Sequence, residues 1–357
     1  MSFDLGFLVF LNYEQDADAL AALEDGLDLF TFAEELGYDS AGVRIHHSVR
    51  TLSAPFPFLA AAAARTRRIR LATGIIPIGW EDPLRFAEDA ATTDLLSGGR
   101  LDLGLSSGIV LGVTDPVARA KAVEDKLTAI LAAIRGDGLG DSPIAALPIP
   151  KADAVGDGTV PLPHGPYGDA PDELIAFPRS PGLDHRLGYG AGSLSSALRA
   201  ARLGLNLVLS TIHGEATGPT LGDTQAEVIR HYREEFAVHH PDRTPRVALG
   251  RSILPIVDDD DRNEFAGLKE FYDRLVTPDG RYTDSPEQRG QASPLYAGAP
   301  DEIVARLSAD PALELIDELV LTPLTELTVP QKKRVFASVA ETVAPQLGWT
   351  RQEAAHA

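Results

Sequence analysis

The chain is 357 residues long, 44% of them hydrophobic, and carries 52 acidic against 32 basic residues for a net charge of −20. That field repels a phosphate backbone and argues against nucleic-acid partners. The absence of cysteine excludes disulfides, zinc–thiolate sites, iron–sulfur clusters and a thiol nucleophile, and it fits the cytoplasm.

No basic region precedes an apolar stretch near Met1, so a secretory signal is not expected. The longest apolar run, residues 56–64, is under half of the roughly twenty residues that a membrane span needs. In chain order, residues 5–10 read as a strand and 17–36 as a helix closed by Gly37. A strand at 40–45 precedes a helix near 57–65. A strand at 69–75 precedes a helix at 83–96, which has proline at its start and Gly98-Gly99 beyond its end. A strand at 101–106 leads to a helix at 116–134. After an irregular stretch come a strand at 186–190, a helix at 194–203 and a strand at 206–210. A helix at 223–240, a strand within 246–257, a strand at 318–322 and a closing helix at 330–347 complete the order.

Such alternation implies parallel strands with right-handed crossovers, and by periodicity alone it fits a closed barrel or an open doubly wound sheet. No second composition regime appears, so residues 1–350 read as one domain, with 351–357 as a tail expected to fray. Residues 136–185 contain nine prolines and eight glycines, and read as a long loop, either a lid or a variable insertion. Residues 277–297 form a second irregular stretch.

Four clusters fall at predicted strand ends. The first is Arg44-Ile45-His46-His47. Neighbours on a strand point to opposite faces, so at most one of the two histidines faces a barrel mouth, which disfavours a metal site. The second, Thr73-Gly74-Ile75-Ile76, places a glycine inside an apolar strand, the mark of a bulge or of close approach to something flat. The third, Ser97-Gly98-Gly99-Arg100-Leu101-Asp102-Leu103-Gly104-Leu105-Ser106-Ser107-Gly108, sets small residues at a strand end, which leaves room for a ligand or reflects tight packing.

The fourth is the most informative: Gly188-Tyr189-Gly190-Ala191-Gly192-Ser193-Leu194-Ser195-Ser196. A strand, a glycine-rich turn and a serine-rich helix start bring backbone amides, helix dipole and hydroxyls onto one point, an anion site. The alternative is a serine N-cap with glycine in the turn. A dinucleotide fingerprint does not fit, because the next strand ends in Leu209-Ser210-Thr211 with no acid to hold a ribose.

Several ordered segments resemble the bacterial luciferase-like family across most of the chain. They are Glu35-Leu36-Gly37-Tyr38-Asp39-Ser40 with His46-His47, the passage Arg65-Thr66-Arg67-Arg68-Ile69-Arg70-Leu71-Ala72-Thr73-Gly74, and Asp82-Pro83-Leu84-Arg85-Phe86-Ala87-Glu88-Asp89. Asp94-Leu95-Leu96-Ser97-Gly98-Gly99-Arg100-Leu101, Ala200-Ala201-Arg202-Leu203-Gly204-Leu205 and Ala299-Pro300-Asp301-Glu302-Ile303 continue the match, and Val343-Ala344-Pro345-Gln346-Leu347-Gly348 closes it.

The resemblance implies a (β/α)₈ TIM barrel with a long Pro/Gly-rich insertion after the fourth helix, a homodimer or larger assembly, and FMN reduced by a separate flavin reductase. It implies a monooxygenase acting with dioxygen on a small organic substrate. Ser193 and Ser196 become the expected phosphate ligands, with Arg119 a further candidate. Thr73, Gly74 and Ile75 would pack on the flavin ring, with a non-prolyl cis peptide at Gly74–Ile75. Ser106 stands where the luciferase subunit has a cysteine, and His46 falls on its catalytic histidine. Gly190, Gly192 and Thr211 complete the expected cofactor set, and Ile45, Ile75, Ile76, Leu105 and Ile109 the expected apolar walls.

Three departures stand out. Ile45 replaces the acid of the family's Glu-His-His pattern, Ser107 replaces an arginine and Gly192 replaces a glutamate. Fewer charges around the flavin imply weaker binding or a different fine chemistry and speak against a long-chain aldehyde substrate. Two other readings stay open, a deazaflavin-dependent oxidoreductase of the same fold and a non-catalytic flavin-binding protein.

Overall fold

The Leu/Val-rich runs of this chain close on themselves. In the computed structural model, which describes residues 2–108, 114–137, 175–277, 280–283 and 290–352, eight parallel strands form a closed barrel. They are β1 (Asp4–Val9), β2 (Ser40–Val43), β3 (Arg70–Pro77), β4 (Leu101–Ser106), β5 (Leu187–Gly190), β6 (Asn206–Leu209), β7 (Val247–Arg251) and β8 (Glu318–Leu321). The strands follow one another in sequence around the barrel, and β8 pairs with β1 through Gly6 and Val320. The helices are α1 (Ala19–Leu36), α2 (Pro55–Arg65), α3 (Pro83–Ser97), α4 (Pro116–Arg135), α5 (Leu194–Arg202), α6 (Leu221–His239), α7 (Asp259–Leu275), α8 (Pro300–Ser308) and α9 (Val329–Ser338). No helix among the described residues is long and apolar enough to cross a membrane.

The chain divides into two compact units. One comprises Met1–Ile76, Leu96–Ser106 and His185–Ala357, the other Pro77–Leu95 and Ser107–Asp184. Within the first, the period of two decides which residues make the core. Leu5, Phe7 and Val9 of β1 are buried on the helix side. There Phe7 meets Phe30 of α1 edge-on at 5.5 Å and Phe336 of α9 at 4.7 Å. Such ring pairs add stability beyond the area they bury. The alternate positions face the lumen.

In the second unit, Asp115 caps α4 by accepting the Ala118 N–H at 2.8 Å, and Gly136 ends it at φ 80°. The Lys126 ammonium donates to the carbonyls of Gly79 and Glu81 at 2.9 and 2.8 Å. Residues 138–174 of the Pro/Gly-rich stretch lie outside the described residues.

Boundaries differ from expectation where local chemistry intervenes. The 246–257 strand is broken at Ser252, and Ile253–Pro255 leaves the barrel to pair with Tyr296–Gly298. The 277–297 stretch also supplies Gln291–Ala292, antiparallel to Ile212–His213. Helix α7 was not among the expected elements, although Phe265, Leu268, Tyr272 and Leu275 recur along it at helical spacing. The closing helix ends at Ser338 and continues as a π-type turn over Val339–Val343. Of the expected tail, Arg351 and Gln352 donate to the Glu35 carbonyl at 2.7 Å and the Asp39 carboxylate at 2.6 Å, and residues 353–357 lie outside the described residues.

Candidate functional site

At the amino end of the barrel the lumen is filled with paired charge. Arg70 meets Asp4 at 2.9 Å, Asp102 at 2.8 Å and Glu318 at 3.2 Å. Arg246 meets Asp4 at 2.7 Å, and Ser40 hydrogen-bonds Glu318. Burial lifts the Asp102 carboxyl to about 6 even though Arg70 pulls it down.

Above this layer the strands turn to glycine. A Cβ on Gly74 would lie 2.8 Å from the Leu8 side chain, and one on Gly42 3.2 Å from it. One on Gly190 would lie 2.7 Å from Ile75 Cδ1, and one on Gly104 2.3 Å from the Thr73 carbonyl oxygen. Two aliphatic side chains, Leu8 and Ile75, therefore occupy room that four glycines leave. The Gly74–Ile75 peptide is cis, as the resemblance implies.

Among the expected ring contacts, Gly74 and Ile75 are partly accessible. Thr73 is buried, and its hydroxyl donates to the Gly104 carbonyl at 3.1 Å, so the side chain is engaged within the sheet. Ser106 is partly accessible at the end of β4. Among the expected apolar walls, Ile45, Ile76 and Leu105 are packed into the core with at most 2% exposure. Leu105 has the parity of the helix side, which sequence alternation alone does not reveal. Ile109 lies outside the described residues.

The turn after β5 is built as the sequence suggests. Ser193 is the N-cap of α5, and its side chain accepts the Ser196 N–H at 3.3 Å while Ser196 Oγ accepts the Ser193 N–H at 3.1 Å. This reciprocal box satisfies two of the amides that a helix start leaves over. Gly192 is exposed, with nothing within 4 Å of the position a Cβ would take. Sequence reading missed the acid here. The Glu215 carboxylate accepts the Leu194 N–H at 2.9 Å, so a negative group already sits on the positive end of α5. Glu215 is held by the buried His213, whose Nδ1 lies 3.0 Å from the Glu215 carbonyl oxygen. A negative group 21 residues beyond the turn leaves no local pattern.

Thr211 is partly accessible after β6, and its carbonyl accepts the Ser293 N–H at 2.7 Å. Arg119 is exposed on α4, in the other unit.

His46 and His47 follow the end of β2 at Val43, so the alternation expected of them stops short of both. His46 is exposed and His47 half-buried. The Arg44 Nε–H donates to His46 Nε2 at 3.2 Å, which leaves the proton of the neutral ring on Nδ1. Burial, then the charges of Arg44 and His47, hold the His46 pKa below its usual value.

Known proteins match this chain broadly. A family model described as luciferase-like monooxygenase matches residues 5–344. The 4-hydroxyprotoasukamycin monooxygenase of Streptomyces nodosus subsp. asukaensis is 36% identical over 119 residues, 31% of this chain and 32% of that protein. The chain thus matches about a third of the length of that curated relative. In structure, the oxygenating constituent of 3,6-diketocamphane monooxygenase of Pseudomonas putida, solved in complex with FMN, has a TM-score of 0.66 at 14% identity, covering 98% and 100% of the two chains. The coenzyme F420 dependent tetrahydromethanopterin reductase of Methanopyrus kandleri has a TM-score of 0.60 at 16% identity, covering 97% and 99%.

Proposed function

We propose, for a chain that belongs to the luciferase-like monooxygenase family, that it is an FMN-dependent monooxygenase acting on a small organic substrate at the carboxyl end of the barrel. The observation that carries the reading is the α5 start. Ser193 and Ser196 hydroxyls, amides at a helix terminus and open space at Gly192 lie together after β5, which fits a phosphomonoester. The Leu194 amide now satisfied by Glu215 would pass to the phosphate, an exchange of one anion for another. Gly74, Gly190 and Ile75 would hold the flat ring, with Ser106 and Thr211 at its margins.

When bound, reduced FMN supplies the electron pair that activates dioxygen. The chain's own work is to place, to dry and to move a proton. Leu8 and Ile75 keep water from the ring face. His46, neutral at neutral pH and with its Nδ1 proton available, donates to the reacting oxygen or the substrate. A separate reductase delivers the reduced flavin, and the chain acts as a homodimer in the cytoplasm.

The test is direct. FMN and deazaflavin binding are compared by fluorescence titration, and oxygen consumption is followed with an added flavin reductase, NADH and candidate substrates. Oxygen transfer that depends on FMN and falls at least about tenfold in His46→Ala supports the reading. Preference for the deazaflavin, or tight FMN binding with no oxygen consumption above that of the reductase alone, overturns it.

A further inference from the structure

Arg44 is a cation with no counter-charge among the described residues. It continues the lumen-facing parity of Ser40 and Gly42 at the carboxyl end of β2, and its backbone N–H bonds the Val9 carbonyl at 2.9 Å. The side chain is half-buried, and its guanidinium lies 5.2 Å from the centre of the Phe10 ring. Its side chain donates, among the described residues, to His46 Nε2 at 3.2 Å. Among the described residues no carboxylate comes within ion-pair distance of it, in a chain with 52 acidic residues. Arg199 on α5 likewise meets no carboxylate among the described residues and donates to the Tyr189 hydroxyl at 2.9 Å, but three other part-buried arginines are compensated. Arg70 and Arg246 meet carboxylates, and Arg100 donates to the carbonyls of Ser97, Ile69, Ala63 and Thr66.

Taking a guanidinium out of water without an anion is unfavourable, so its persistence at a barrel mouth marks a missing partner. The residue that follows sharpens the point. Ile45 is apolar and 2% exposed, so the β2 end offers a cation and a neutral imidazole but no acid. Arg44 presents donors in a planar fork suited to a carboxylate, and Phe10 extends an aromatic surface beside it.

The geometry points to Arg44 as the specificity residue of this site, recognising the carboxylate of an organic acid substrate that carries an apolar or aromatic body. This rests on the reading that the reaction occurs at the carboxyl end of the barrel. A bound carboxylate at Arg44 is placed beside His46, the proton-transfer group, and so sets which part of the acid meets the flavin.

The experiment uses the full chain, with benzoate and uncharged benzamide as probes, each titrated by calorimetry in the presence and absence of FMN. The expected result is a preference for benzoate of about tenfold or more, lost in Arg44→Gln and partly kept in Arg44→Lys. Thermal melting of each variant establishes that it is folded. Equal binding of the two probes by the wild type, or a preference that survives Arg44→Gln, overturns the proposal. So does a variant that leaves benzoate binding unchanged while weakening reduced FMN relative to oxidised FMN, because Arg44 would then serve the flavin anion. Selective benzoate binding in a protein that binds no FMN would overturn the proposed function and leave this assignment standing.

Discussion

The two ends of one barrel treat charge in opposite ways. At the amino end, Arg70 and Arg246 are matched by Asp4, Asp102 and Glu318 within 3.6 Å. At the carboxyl end, Arg44 faces a histidine nitrogen, and the helix start at Ser193 draws in the carboxylate of Glu215. The strands are the same strands, and the alternation that puts Arg70 in the lumen also puts Gly74 there. In barrel folds the first end carries stability and the second carries function. A closed network has no affinity left for a ligand, whereas an open one does. The lesson is that compensation, rather than charge count, separates a structural cluster from a site.

The largest expected effect breaks the amino end. Arg70→Met leaves Asp102 without its ion-pair partner and Asp4 and Glu318 with Arg246 alone, and destabilises the fold by about 3–5 kcal/mol in denaturant unfolding. Arg44→Gln, by contrast, changes stability by no more than about 0.5 kcal/mol or raises it. Equal losses at both ends would erase the distinction drawn above.

The next is a pH effect. The folded pKa of Asp102 is raised from the ordinary 3.8 to about 6. Its protonated form is therefore favoured by folding, and that stability is complete below about pH 4 and lost as the pH rises through 6. Relative to Asp102→Asn, the wild type should lose on the order of 2 kcal/mol between pH 4 and 7, measured by unfolding at fixed ionic strength. A flat difference across that window would show that Arg70 fully compensates the buried carboxylate.

At the carboxyl end, Ser193→Ala removes the cap of α5. The expected loss is about 1 kcal/mol of stability, together with a fall in FMN affinity that the stability change does not account for. Glu215→Gln should act the other way on affinity, tightening FMN by about threefold to tenfold, because the group competing for the Leu194 amide loses its charge. If both variants leave FMN binding untouched, the phosphate lies elsewhere. The smallest effect is at His46, whose ring should titrate below about 6.5 by NMR and move upward in Arg44→Gln. A titration at or above the ordinary value would remove the neutral proton donor from the mouth.

Much of this was legible in the chain. The strand runs, the helix starts at Pro83 and Pro116, and the serine cap at Ser193 are set by neighbours a few residues apart, and they appear where their local chemistry places them. The bounds slipped at β2, where Arg44-Ile45-His46 continues the composition of a strand although pairing stops at Val43. Helix α7 was legible but passed over, since Phe265, Leu268, Tyr272 and Leu275 recur at helical spacing behind the Asp258 cap. Leu105 and Ile76 read as pocket walls because hydrophobicity says that a residue is buried without saying on which side of the sheet.

By itself, the sequence determined the alternation of strand and helix, the lack of thiol chemistry, the Gly-rich turn with its serine cap, and the family likeness that pointed to a barrel with a cis peptide at Gly74. Tertiary structure alone decided that Asp4, Arg70, Asp102, Arg246 and Glu318 pair with one another, that Leu8 and Ile75 fill the room of four glycines, that Glu215 covers the start of α5, and that Arg44 meets no carboxylate among the described residues. The physical reason is range. Propensities, caps and alternation act between residues a few positions apart, while charge compensation and steric fit act between atoms a few ångströms apart that the chain brings together from as far as Asp4 and Glu318.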